Sequence, residues 1–131
     1  MSLIVDASVA VKWFLLEDGS ERARDLARED DVRAPDLILP ETFNAIWKRW
    51  RRGEATADQL TGALPALRRT LDLVPLPDLV ESAATLSQQH RHSIYDCVYL
   101  AAALASGQTL VTADERQFAV ARAARVEARL L

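Results

Sequence analysis

The sequence predicts a single α/β domain in which a parallel sheet of about five strands is flanked by helices on both faces. Short apolar runs, such as residues 3–5 and 109–112, have the length and composition of strands that are buried on both faces. These runs alternate along the chain with longer segments that favour helices. No tight-turn dipeptide lies between two strand-like runs, so we expect helical crossovers to join consecutive strands.

Length and composition fit one domain over residues 1–131. A chain of 131 residues, half of them apolar, can bury a core of its own. No linker, internal repeat or low-complexity segment divides it. The net charge of −3 is not that of an obviously basic nucleic-acid binder, but carboxylates that hold metal ions would make even an RNA enzyme acidic.

The number of cysteines and the lengths of the apolar runs exclude several classes of protein. Cys97 is the only cysteine, which excludes an internal disulfide and a cysteine-based zinc site. The apolar runs fall short of the roughly 18 residues that a membrane span requires, and no positive charge precedes Asp6 as it would in a secretory signal. We therefore expect a cytoplasmic protein.

The individual elements follow from apolar runs, capping residues and helix breakers. The strands are expected at residues 3–5, 32–34, 71–74, 109–112 and 125–130. The helices are expected at residues 8–16, 20–28, 41–52, 56–70, 78–90, 93–107 and 115–121. Residues that can cap a helix stand at four of the helix starts: Ser20, Thr56, Asp78 and Ser93. Gly53 and Gly107 mark helix ends, whereas Pro65 lies inside its helix and argues against a regular one.

Four acids stand where this scheme places strand ends or helix starts: Asp6, Glu41, Asp96 and Asp114. Each has a structural explanation. Asp6 and Asp114 can cap the helices that follow them, and Glu41 lies in a first helical turn, where the macrodipole favours negative charge. Asp96 stands three residues after Ser93, which is the spacing of a capping box.

The surroundings of these acids favour a second explanation. Asp96 lies in an otherwise apolar helix, where an unpaired charge is costly. Asp6 ends a buried strand, and ligands of open α/β folds bind at that edge of the sheet. Two carboxylates about 4 Å apart repel by on the order of 4 kcal/mol at an effective dielectric constant of 20. A cluster of carboxylates must therefore take up protons or hold cations, and oxygen ligands favour magnesium or manganese.

Four segments that contain these acids resemble the motifs of a known family. They are Val5-Asp6-Ala7-Ser8-Val9, Pro40-Glu41-Thr42-Phe43-Asn44-Ala45, Tyr95-Asp96-Cys97-Val98-Tyr99-Leu100-Ala101 and Leu110-Val111-Thr112-Ala113-Asp114. They look like the four motifs of the PIN domain. Their order and spacing, and the chain length, are similar to those of the VapC-type toxin ribonucleases of bacterial type II toxin–antitoxin pairs. The resemblance spans residues 3 to about 130.

The resemblance implies a fold, an activity and a set of site residues. The fold is a parallel sheet, usually of five strands, between helices. The acidic quartet of the family maps onto Asp6, Glu41, Asp96 and Asp114, which would bind one or two magnesium or manganese ions. The supporting residues are Ser8, Asn44 and Thr112. The implied activity is that of an endoribonuclease, which hydrolyses RNA phosphodiester bonds with a metal-activated water. The implied partners are an RNA substrate, a cognate antitoxin and a second copy of the chain.

Basic residues follow Glu41 on the same predicted helix: Lys48, Arg49, Arg51 and Arg52. They alternate with Trp47 and Trp50, which is consistent with an RNA phosphate track that includes stacking aromatic rings. The alternative is a helix that packs its aromatic side chains on a core and turns its cations to water. This alternative is favoured for the tryptophans, whereas at least one of the cations is expected to meet RNA. The resemblance adds that an antitoxin covers this side of the site, so Trp13, Trp47 and Trp50 are hypothesised to lie beneath it. His90 and His92 are predicted to be surface residues.

Three other classes of protein compete with this interpretation. A phospho-acceptor receiver domain needs an acidic pair after its first strand and a lysine near its last strand. Here only Asp6 follows the first strand and Lys48 is the last lysine, so this class is excluded. The scattered glycines exclude a phosphate-binding glycine loop. A catalytically silent PIN-like module that binds RNA or serves in assembly stays open.

Overall fold

A parallel five-stranded sheet forms the centre of the protein, and the computed structural model describes all 131 residues. The strands are β1 (Ser2–Val5), β2 (Asp31–Pro35), β3 (Asp72–Val74), β4 (Thr109–Thr112) and β5 (Ala128–Leu130). The helices are α1 (Ala7–Ala10), α2 (Ser20–Glu29), α3 (Ile38–Arg51), α4 (Ala57–Thr70), α5 (Val80–His90), α6 (Ile94–Ser106) and α7 (Glu115–Ala123). Every strand pairing is parallel. The predicted fold class is confirmed.

The strand order reverses direction beside the first strand, which makes this place the topological switch point of the sheet. The order is β3-β2-β1-β4-β5, so the chain builds outward from β1 on one side and then returns to build outward on the other. At such a point the connections leave the sheet in opposite directions, and a crevice opens at the carboxyl ends of the two central strands. Asp6 directly follows β1, and Asp114 lies two residues after β4. The topology therefore brings the first and the last of the four acids to one crevice.

The two strongly apolar segments β1 and α6 lie in the centre of the core. Leu3, Ile4 and Val5 are fully buried, as expected for a central strand that is covered on both faces. Seven consecutive residues of α6, from Cys97 to Ala103, are also buried. Helix α6 packs against β1, β2 and β4 and leads directly into β4, which is parallel to β1. The helix therefore runs opposite to the strands, and its first turn lies at the same end of the sheet as Asp6.

Several predicted helix signals are confirmed. Thr56 and Gln59 form a reciprocal capping box at the start of α4, and Pro65 lies within this helix without ending it. Ser93 caps α6 through the N–H of Tyr95, and Gly107 ends it in the left-handed conformation with φ of +67°. The proposed capping box between Ser93 and Asp96 does not form, because the Ser93 hydroxyl accepts from Tyr95 alone.

Two predicted caps are wrong. Ser20 lies inside the first turn of α2, where its hydroxyl donates to the Leu15 carbonyl and accepts the N–H of Glu17. It therefore closes the loop before the helix and does not cap the helix. Asp78 belongs to a separate 3₁₀ turn, Leu76–Asp78, and α5 begins after it.

Two helices also have other bounds than predicted. The helix expected at residues 8–16 is a single α-turn followed by a 3₁₀ turn, Val11–Trp13. Helix α3 begins three residues before Glu41, and it tolerates Pro40 because the N–H groups of a first turn have no helical partner. No helix in the protein is both long enough and apolar enough to span a membrane.

Candidate active site

Asp6 is the most buried of the four acids, with 6% of its surface exposed. Its Oδ1 accepts hydrogen bonds from the N–H and the hydroxyl of Ser8, and the first of these caps α1. Its Oδ2 accepts from the Thr112 hydroxyl at 2.6 Å. Burial raises the pKa of Asp6 to about 6, and the hydrogen bonds from Ser8 and Thr112 oppose that rise. The carboxylate is thus fixed in place but lacks a compensating positive charge.

Ser8 and Thr112 join the ends of the two central strands. The Ser8 hydroxyl accepts the N–H of Ala113 at 2.8 Å, and the Thr112 hydroxyl accepts the N–H of Asp114 at 3.1 Å. The two hydroxyl oxygens lie 3.2 Å apart. The structure therefore brings two of the three predicted supporting residues to Asp6 and holds the loop that carries Asp114 against them.

Glu41 projects from α3 and is held by a residue that sequence reasoning did not select. The Tyr99 hydroxyl donates to Glu41 Oε1 at 2.6 Å, and Tyr99 is 1% exposed. Burial raises the pKa of Glu41, the Tyr99 hydrogen bond opposes this, and the charges of Asp96 and Asp6 raise it further. Tyr99 lies three residues after Asp96, so the two share one helix face, and that spacing was the available signal. Glu41 lies beyond that helix, which is why the pairing was missed.

Asp96 stands in the first turn of α6 with 49% of its side chain exposed. Burial raises the pKa of Asp96, and the charge of Asp114 raises it too, while His92 and Arg116 lower it. Asp114 is exposed and caps α7, where its Oδ1 accepts the N–H groups of Arg116 and Gln117. These two acids form the open half of the site.

His92 is not the surface residue that was predicted. It is 5% exposed, and its Nε2 lies 2.6 Å from Oε1 of Gln117. The same nitrogen lies 3.8 Å from Asp96 Oδ2. Its position in a short connection between α5 and α6 resembled an exposed loop in the sequence, and its partner Gln117 is on a distant helix.

The four acids fit a hard divalent cation by their chemistry. Burial raises the pKa values of Asp6, Glu41 and Asp96, and neighbouring carboxylates raise those of Glu41 and Asp96 further, so these acids favour a cation. Glu41 Oε2 and Asp114 Oδ2 accept no hydrogen bond within the protein, which leaves them open to a ligand. As the side chains stand, no three acidic, histidine or cysteine residues converge closely enough to share one ion. A bound ion would therefore need side-chain rotation, which exposed Asp114 and half-exposed Asp96 allow.

The basic residues of α3 fall into two groups. Lys48, Arg51 and Arg52 are exposed, and the Arg51 guanidinium lies over the Trp47 ring at 5.1 Å. Arg49 is instead paired with Glu17 at 3.2 Å and with Glu54 at 2.9 Å.

A groove of about 350 Å³ runs along α3 beside Glu41. It is lined by Val11, Leu15, Glu41, Asn44, Ala45, Lys48, Arg49 and Arg52. Asn44, a predicted supporting residue, lies exposed in this groove and makes no hydrogen bond to the acids. Three of the four predicted RNA-binding cations therefore line this groove together with Glu41, and Arg51 lies outside it.

The fold and these side chains define a class: an α/β protein whose acids gather at the carboxyl edge of a parallel sheet, beside its switch point. The family profile of the PIN domain matches residues 3–123. The chain belongs to the PIN domain family, and the VapC-type resemblance is confirmed by a relative of that name.

That relative is Ribonuclease VapC3 of Pyrobaculum aerophilum, which is 32% identical over 120 residues, or 88% of this chain and 92% of the relative. Solved structures share the fold. VapC20 of Mycobacterium tuberculosis, described as a sarcin–ricin loop cleaving toxin, has a TM-score of 0.72 at 20% identity over 89% of this chain and 93% of its own. VapBC2 of Rickettsia felis, solved with a DNA fragment from its promoter, has a TM-score of 0.69 at 16% identity over 100% and 99%.

Proposed function

We propose that residues 1–131 form one PIN domain that acts as a divalent-metal-dependent endoribonuclease, the toxin of a type II toxin–antitoxin pair. The observation that carries the proposal is the position of Asp6, Glu41 and Asp96, which come from three separate parts of the chain. Asp6 follows the central strand β1, and Tyr99, one turn after Asp96 on α6, donates to Glu41 on α3. Acids with raised pKa values at the edge of a sheet are typical of a functional site, and a bound cation would neutralise their charge. The name of the 32% identical relative supports RNA as the substrate class.

The four acids, Asp6, Glu41, Asp96 and Asp114, would hold one or two Mg²⁺ or Mn²⁺ ions. When bound, such an ion supplies an activated water and neutralises charge on the phosphoryl oxygens. The protein contributes the arrangement of the ligands. Ser8 and Thr112 hold Asp6 in one rotamer, and the Tyr99 hydroxyl holds Glu41. These hydrogen bonds restrain the two acids before the ion binds.

The groove on α3 is the proposed path of the RNA. Lys48 and Arg52 are exposed there and can meet backbone phosphates, whereas Arg49 must first leave Glu17 and Glu54. Along α3, Asn44 lies between Glu41 and Lys48 and lines the same groove, where its amide can bind a phosphate or ribose oxygen. Arg51 with Trp47 lies further along the same helix.

A cognate antitoxin and a second copy of the chain are the proposed protein partners. The support for an antitoxin is that similar folds were solved as VapBC complexes, in Rickettsia felis and in nontypeable Haemophilus influenzae. Trp50 is 42% exposed, which is high for a tryptophan, and a partner would cover it. The homodimer rests on the family resemblance alone.

A catalytically silent RNA-binding or assembly module is the second candidate. The observation that favours it is that no three acids converge on one point in the protein. The two candidates differ in what an acid-to-amide substitution does. In a silent module it leaves RNA binding and cell growth unchanged.

The test is cleavage of a labelled RNA in Mg²⁺ or Mn²⁺, with and without EDTA, by the wild-type chain and by Asp96→Asn. We expect EDTA to abolish cleavage and Asp96→Asn to lower the rate by more than about 100-fold, beyond what loss of an outer hydrogen-bond partner causes. Asp31→Asn is the matched control, because Asp31 is an exposed acid at the opposite end of the sheet. Wild-type cleavage by Asp96→Asn, or full activity in EDTA, would refute the proposal.

A further inference from the structure

Two buried polar side chains beside the acids have no part in the function described so far. Gln117 is 2% exposed and His92 is 5% exposed. The Gln117 amide donates from Nε2 to the backbone carbonyl of Asp96 at 2.9 Å, and its Oε1 lies 2.6 Å from His92 Nε2. Because an amide oxygen can only accept, the hydrogen of this second bond belongs to His92.

Gln117 is bonded to both acids of the open half of the site. Its side chain holds the backbone of Asp96 on α6, and its own backbone N–H donates to Asp114 Oδ1 at 3.1 Å on α7. Asp96 and Asp114 carry like charges, and the charge of Asp114 adds to the rise that burial causes in the pKa of Asp96. A residue that joins the two acids thus opposes the force that would separate them.

His92 is itself anchored to α5. Its carbonyl accepts the Ser87 hydroxyl at 2.6 Å, and its N–H donates to the Ser87 carbonyl at 3.3 Å. A chain of hydrogen bonds therefore runs from Ser87 through His92 and Gln117 to both acids. An apolar side chain could fill the same buried space, but it could not transmit this alignment.

We propose that Gln117 is a positioning residue, held in place by its hydrogen bond from His92. It fixes the separation of Asp96 and Asp114 and thereby sets the affinity of these two acids for a divalent cation. The inference rests on the proposed function. Gln117 and His92 together are called the brace. Because the brace contacts the acids directly and lies outside the groove on α3, we expect an effect on cation binding that is separate from any effect on folding.

The experiment measures the dissociation constant of Mn²⁺ by titration calorimetry, together with kcat and KM for RNA cleavage. Gln117→Met keeps the length of the side chain without its hydrogen bonds, and His92→Leu removes the hydrogen bond that holds Gln117 in place. We expect each to weaken Mn²⁺ binding by about 10-fold and to lower kcat with little change in the KM for RNA. His92→Gln retains an N–H donor and should restore binding to within about 2-fold of wild type.

The double variant His92→Leu/Gln117→Met guards against simple misfolding, because it leaves neither partner buried and unpaired. If this folded double variant binds Mn²⁺ as tightly as wild type, the inference is wrong. If wild type cleaves RNA and binds Mn²⁺ but all brace variants do the same, the inference alone fails. If wild type neither binds Mn²⁺ nor cleaves RNA, the proposed function fails and the inference falls with it.

Discussion

At the scale of single residues, Asp6 shows how a structural and a chemical role coexist in one side chain. It caps α1 with Oδ1 and accepts the Thr112 hydroxyl with Oδ2, yet burial still raises its pKa to about 6. The cap that sequence reasoning offered as the ordinary explanation is therefore real. The hydrogen bonds do not offset the cost of burying the negative charge of Asp6, and a bound cation would stabilise that charge.

The raised pKa of Asp6 predicts a pH-dependent stability in the absence of metal. The ordinary value is 3.8 and the folded value is about 6, so the folded protein binds more protons between these two pH values. Stability from this group is complete below the ordinary pKa, falls as pH rises through the interval and levels off above the folded pKa. We expect a loss on the order of 3 kcal/mol, measured by urea unfolding in EDTA. Asp6→Asn cannot ionise and should flatten this part of the profile; an unchanged slope would contradict the prediction.

Thr42 predicts a gain in stability from a single substitution. It is fully buried in α3, and its hydroxyl has no hydrogen-bond partner. Thr42→Val replaces that hydroxyl with a methyl group of similar shape and should raise the free energy of unfolding by about 1 kcal/mol. Thr42→Ser, which keeps the hydroxyl and loses the methyl, should lower it. A loss of stability in Thr42→Val would show that the hydroxyl is satisfied by a bound water.

At the scale of the helices and strands, local signals predicted the elements well and their contacts poorly. Strand β4 and the cap of α6 follow from a few neighbouring residues, so a pattern suffices for them. Ser20 and Asp78 were expected to cap helices, but the loops beside them use other geometry. Tyr99 and His92 were missed as site residues because their partners, Glu41 and Gln117, are brought near only by the fold. Long-range pairing leaves no local pattern.

Two glycines predict opposite effects of the same substitution. Gly107 ends α6 with φ of +67°, a conformation that costs other residues about 1–2 kcal/mol. Gly107→Ala should lower the free energy of unfolding by about 1 kcal/mol. Gly62 lies inside α4 with open space around it, so Gly62→Ala should raise the free energy of unfolding by up to about 1 kcal/mol. Thermal unfolding of both variants checks the pair, and shifts of the same sign would contradict this explanation.

At the scale of the whole molecule, the strand order gathers acids that are far apart in the sequence. Asp6 and Asp114 reach the crevice from the two central strands, and Glu41 and Asp96 reach it from α3 and α6. The motifs and their family resemblance allowed this set to be predicted, since each acid lies beside a recognisable element. The orientation of their oxygens could not be predicted in full, because it also depends on Tyr99 and Gln117, which were not predicted as site residues.

The gathered charge predicts that the cation stabilises the whole fold. Divalent cations should bind the folded acids and not the dispersed acids of the unfolded chain, so the gain grows as RT ln(1 + [L]/Kd). At 100 times Kd this is about 2.7 kcal/mol, or roughly 8–10 °C in Tm for a chain of this size. Wild type and the control Asp31→Asn should show this rise in MgCl₂ relative to NaCl of equal ionic strength, which removes simple screening as the cause. Asp96→Asn should lose most of the rise while keeping its Tm in EDTA, because it also loses the repulsion from Asp114. An equal rise in Asp96→Asn would place the cation away from these acids.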